Sequence, residues 1–177
     1  EIPLIWMLAK LELETTTVVG ATIPGIPAVF VGRSNSLAWG IASSNLDNQD
    51  LIIQNINPAN PEEYQTASGY EKFRQRTVLI NIKGKPGLTH TILSTNHGPI
   101  LPKEAYGIET VISKNQSMAL KWTGLDSKDR SIEGLLSMMK AQDLSAAKNS
   151  LQHLIVPSYN FLFAVPGSTV ILSAGRM

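Results

Sequence analysis

The residues most able to do chemistry in this chain are few and scattered. Asp47-Asn48-Gln49-Asp50 sets two carboxylates three positions apart, with an amide and backbone carbonyls between them. Such hard oxygen donors suit calcium, although the same four residues also make a plain polar turn between strands, which is the simpler reading. Asn160 stands in P-S-Y-N-F-L-F-A, a polar amide entering an apolar strand. A buried amide has to satisfy its hydrogen bonds, so Asn160 either brackets the structure or points its donor at a ligand; the pattern alone leaves both open. His90, His97 and His153 fall at no metal-ligand spacing. His97 lies in T-N-H-G-P, where turn chemistry accounts for it, and His153, near a helix end, suits the C-terminal dipole. No G-x-S-x-G elbow, Walker A loop, H-E-x-x-H helix or EF-hand loop is present, and nothing nominates a Ser–His–Asp triad.

A β-rich chain has to position these groups. Aliphatic clusters at residues 18–19, 28–31 and 51–53 predict short strands, punctuated by Gly20, Pro24-Gly25, Pro27 and Gly32. Residues 57–69 are polar and rich in turn formers, which predicts a surface loop or a short helix and turn. Val78, Ile80 and Ile82 lie two apart, and residues 84–87 form a turn, so 70–94 reads as a hairpin. Residues 118–122 predict another strand. Helical spacing begins only at 131–140, through Ile132, Leu135, Leu136 and Met139. Asp143 then caps a second helix over 144–154, with Leu144, Ala147, Leu151 and Leu154 as its apolar stripe. Strand returns over 159–173, interrupted by Pro166-Gly167. The order predicts a β-rich α+β fold with two late helices.

Composition narrows the function. The 177 residues are 43% hydrophobic and only 16% charged, enough for one well-buried domain. Fifteen Lys and Arg against fourteen Asp and Glu leave +1, so there is no electrostatic case for nucleic acid or an acidic membrane. The absence of Cys excludes disulfides, thiol nucleophiles, zinc fingers and iron–sulfur clusters. No window of eighteen apolar residues could span a bilayer as a helix. An opening Glu1, with apolar runs at residues 2–8 and 170–172, reads as a piece of a longer polypeptide.

One series of motifs runs nearly the length of the chain. Gly20-Ala-Thr-Ile-Pro-Gly25-Ile-Pro27 is followed by Val31-Gly-Arg-Ser, then Leu37-Ala-Trp-Gly40, then Asp47 and Asp50. Tyr64 and Gly69, His97-Gly98-Pro99-Ile100, Ala119-Leu-Lys-Trp122, and Asn160 ahead of Phe163-Ala164 continue it. In order and spacing the series resembles the penicillin acylase family of N-terminal nucleophile hydrolases.

The resemblance implies an αββα sandwich, with residues 1–177 a single partial domain from the β chain. It implies hydrolysis of the amide in an N-acylated small molecule of penicillin, acyl-homoserine lactone or lipopeptide type. The family nucleophile is the first residue of the β chain, usually Ser, freed by autoproteolysis of a zymogen that also supplies an α chain. By resemblance Asn160 is the side-chain donor of the oxyanion hole, and Ser43 supplies the backbone N–H. Asp47, Gln49 through its carbonyl, and Asp50 match a Ca2+ site, while Val31 and Ile41 match the acyl pocket. A periplasmic or secreted location follows from family habit. Two departures stand out. Glu1 falls downstream of the family's Ser-Asn-x-Trp start, and Ser34-Asn35 sits inside the glycine-arginine turn, so neither is the nucleophile. Val165 replaces an acidic residue. This segment alone is therefore expected to be inactive; the alternative is a non-catalytic relative serving in binding or structure.

Overall fold

The structure, a computed structural model, describes residues 5–177, so Glu1 and the first three residues of the 2–8 apolar run lie outside the described part. Within the span read as one domain, the chain divides into two compact units: residues 1–48 with 126–177, and residues 49–125.

The first unit is built on a six-stranded antiparallel sheet of order β1-β2-β3-β4-β11-β12. Its strands are β1 (Met7–Glu12), β2 (Thr17–Thr22), β3 (Val29–Arg33), β4 (Ala38–Ser43), β11 (Tyr159–Val165) and β12 (Ser168–Ala174). Two helices, α1 (Ser131–Met139) and α2 (Leu144–Leu151), contribute to the same core. Alternation along each strand turns Val18, Trp39, Phe161 and Phe163 inward, where they meet Leu135, Met138, Ala147 and Leu151 of the helices. Phe161 and Phe163 stack at 6.0 Å, and the Trp39 indole N–H donates to the Val29 carbonyl at 2.9 Å. The expected cap holds: Asp143 Oδ1 accepts from the Ala146 N–H at 2.7 Å. Gly20 is not punctuation but lies inside β2, paired with Gly32 of β3.

The second unit is made of three two-stranded pairs. β5 (Gln49–Asn55) pairs with β10 (Gln116–Trp122), β6 (Glu63–Thr66) with β7 (Gly69–Lys72), and β8 (Arg74–Ile80) with β9 (Leu88–Ser94). The 70–94 hairpin is thus found, starting at Arg74. The 57–69 loop is corrected: it contains β6, because Tyr64 is only 3% exposed and packs on Phe73 with ring centroids 5.1 Å apart. Its hydroxyl donates to Glu71 Oε2 and accepts the Asn96 N–H, both at 3.2 Å. A polar composition conceals this one anchoring aromatic. Ile108, Ile112 and Met118 form the unit's small core, with Leu101 against them.

Candidate functional site

Asn160 is the second residue of β11 and lies directly opposite Ala42 on β4 and Ser173 on β12. Register partners share a face, so these three side chains rise from the face opposite Phe161, Phe163 and Trp39. Asn160 is half-buried there. Its Nδ2 donates to the Ser43 carbonyl at 3.4 Å, and the Ser173 hydroxyl donates to its Oδ1 at 2.6 Å. The two sequence candidates for an oxyanion hole, Asn160 and Ser43, are therefore brought together. Ser43 ends β4, with its hydroxyl donating to Asn45 Oδ1 at 3.0 Å. Beyond it the Ser44 N–H donates to the Ser158 carbonyl at 3.5 Å, and Asn48 Nδ2 donates to Ser158 Oγ at 3.2 Å. These bonds fasten the segment after β4 to the one entering β11.

The acyl-pocket candidates divide. Gly32 opposes Trp39, so the neighbouring Val31 turns to the Asn160 face, where it is 40% exposed. Ile41, two residues after Trp39, turns the other way and packs against the core. Leu162, 47% exposed, shares the face with Val31 and Asn160.

The calcium candidates also divide. Asp47 precedes the boundary between the units, while Gln49 and Asp50 open β5 in the second. All three are exposed, and Asp50 lies 4.0 Å from Lys121 Nζ, its register partner on β10. Two carboxylates and a main-chain carbonyl suit a hard cation chemically, but calcium takes six to eight oxygens. Among the described residues no group of three or more His, Asp or Glu is arranged to hold a metal.

Val165 closes β11 at the hairpin, five residues from Asn160. At about 3.3 Å per residue that is about 16 Å, so an acid at 165 would not reach the Asn160 amide. His97 has the turn role read from sequence, its N–H donating to Thr95 Oγ1 at 3.1 Å. What the local motifs missed is Ser173, whose hydroxyl donates to Asn160 Oδ1.

A six-stranded antiparallel sheet backed by two late helices, with a polar amide held on the strand next to its β12 edge, has a β-rich fold of the N-terminal nucleophile type. The penicillin amidase family profile matches residues 1–177, and the chain belongs to that family. The acyl-homoserine lactone acylase QuiP of Pseudomonas putida is 26% identical over 165 residues, covering 91% of this chain and 19% of that protein. Aculeacin-A acylase of Actinoplanes utahensis is 26% identical over 157 residues, covering 83% of this chain and 18% of the relative. The chain thus spans about a fifth of the length of these curated relatives. The solved thermostable penicillin G acylase of Alcaligenes faecalis superposes with a TM-score of 0.82 at 21% identity, over 99% of this chain and 31% of its own. That likeness is one of fold. Among the described residues no helix is long and apolar enough to cross a membrane.

Proposed function

We propose that this chain is the oxyanion-binding part of an acylase that hydrolyses the amide of an N-acylated small molecule. The observation that carries the reading is the Asn160 amide, held from both sides on the open face of the sheet beside Ser43. In this reading an N-terminal serine, liberated by self-cleavage of a zymogen and absent from this chain, attacks the amide carbonyl. Its own α-amino group, of ordinary pKa about 7.7–8.0, takes the hydroxyl proton. The carbonyl oxygen gains negative charge as the carbon becomes tetrahedral. Asn160 Nδ2 and the Ser43 N–H donate to that oxygen. The 3.4 Å bond from Asn160 to the Ser43 carbonyl is long, and an amide nitrogen has two protons, so one is available to the oxyanion.

Val31 and Leu162 supply apolar surface on the same face, which suits an aliphatic acyl group; Ile41 supports the strand from the core. The relatives are named as acylases of acyl-homoserine lactones and of aculeacin A, which supports removal of an acyl group as the reaction. An α chain from the same precursor and a site of action outside the cytoplasm belong to this reading.

In the full-length enzyme, Asn160→Ala should lower kcat about 10²–10³-fold, the cost of one oxyanion donor. Unchanged kcat would sink the role of Asn160. Failure of a serine-directed acylating probe to label a processed N-terminus would return the protein to the alternative, a non-catalytic relative.

We further propose that Asp47, Asp50 and the Gln49 carbonyl contribute to a calcium site, which would add stability to the folded state. Chelation should then lower Tm of the full-length protein, and Asp50→Ala should remove that sensitivity. A Tm indifferent to chelator would leave these residues as a turn.

A further inference from the structure

We infer that Ser173 is a positioning residue for Asn160: its hydroxyl anchors the amide so that Nδ2 stays where it can meet the reacting carbonyl. The inference rests on the reading of Asn160 as an oxyanion donor.

A carboxamide is nearly symmetric in shape and opposite in chemistry at its two ends. Rotation by half a turn about its last torsion puts an acceptor where the donor stood. The partners on either side therefore decide whether Asn160 can bind an oxyanion at all. On one side lies the Ser43 carbonyl, which only accepts, so the NH2 end must face it. That bond is 3.4 Å, beyond the usual N–H···O range, and holds the amide weakly. On the other side the Ser173 hydroxyl donates to Oδ1 at 2.6 Å, a short O–H···O contact. The strong hold is thus the one from Ser173.

Its backing is rigid. Residues 160 and 173 are register partners in the β11–β12 ladder, which runs unbroken from Tyr159–Ala174 to Val165–Ser168. The hydroxyl also draws electron density toward Oδ1, which makes the Nδ2 protons better donors. Without it the amide keeps only the long bond to the Ser43 carbonyl, which still selects the NH2 end but no longer holds Nδ2 where the oxyanion forms. Because the oxyanion exists only as the reaction proceeds, the loss falls on kcat and leaves substrate binding alone.

The test uses the full-length processed enzyme and an N-acyl p-nitroanilide. Ser173→Ala should lower kcat about 3- to 10-fold, the worth of one hydrogen bond, with KM unchanged. Ser173→Thr, which keeps the hydroxyl, should restore kcat. On an Asn160→Ala background, Ser173→Ala should cost nothing further. If Ser173→Ala leaves kcat unchanged while Asn160→Ala is severely impaired, the positioning role is overturned and Asn160 stands. If Asn160→Ala itself has no effect, the reading beneath both falls. Side-chain amide resonances of 15N-labelled Asn160 give a readout independent of turnover. They should shift and broaden in Ser173→Ala, and an unchanged Asn160 signal overturns the inference.

Discussion

A methyl group at position 20 would collide with the neighbouring strand of the six-stranded sheet. Built on Gly20, a Cβ would come within 2.1 Å of the Val31 carbonyl oxygen and 2.6 Å of the Gly32 Cα. Both obstacles are main chain, so no side chain can swing aside. Gly20→Ala should therefore force β2 and β3 apart and destabilise by about 3 kcal/mol or more, at the upper end of overpacking costs. A fall in Tm and in soluble yield would show it, and a wild-type melting curve would refute the close approach. Gly98 of the His97-Gly98-Pro99 motif makes the same point at a turn. Its φ is +143°, and a Cβ would lie 2.0 Å from the Leu120 carbonyl oxygen. Gly20 and Gly98, both within the motifs that carry the family resemblance, are thus positions where two backbones meet. Sequence marks them as glycines and as turn formers, but the neighbour that makes glycine necessary is eleven residues away for Gly20 and twenty-two for Gly98. No local pattern reports such a neighbour.

Elements separate what was legible from what was not. The helices were readable because a stripe at helical spacing and a capping Asp are both local: α1 and α2 begin at Ser131 and Leu144, as the pattern predicts. The β11–β12 hairpin was readable further than the motif reading took it. With Pro166-Gly167 as its two-residue turn, Val165 must face Ser168, and counting back brings Asn160 opposite Ser173. The partner that holds the amide was thus implied by turn position alone. In contrast, β6 was hidden because its strand has one buried anchor, Tyr64, in an otherwise polar run. Ser131 was hidden for a different reason. Its hydroxyl donates to Asp129 Oδ1 at 2.5 Å and accepts the N–H groups of Ile155 and Val156 at 2.7 and 3.1 Å. A serine opening a helix reads as part of an N-terminus, and its tie to residues 24 and 25 further on is a property of the fold.

For the molecule as a whole, the asymmetry of the six-stranded sheet has a consequence for its behaviour in isolation. The face bearing Phe161 and Phe163 is buried with the helices, while the opposite face leaves Leu8 86%, Ile171 70%, Leu162 47% and Val31 40% exposed. These residues fall on one side by register: Leu8 opposes Ala21, Ala21 opposes Val31, and Leu162 opposes Ile171. An apolar face of that kind is a surface that water penalises and another apolar surface relieves. A net charge of only +1 offers little repulsion to keep copies apart. The 177-residue chain expressed alone should therefore self-associate, with light scattering giving a mass well above 19.2 kDa. Leu8→Lys combined with Ile171→Lys should return it toward a monomer. Two lysines at the exposed loop positions Ser68 and Asn81 add the same charge without touching the sheet, and they should leave the association in place. Equal solubilisation by both pairs would mean that net charge, and not the open face, governs the association.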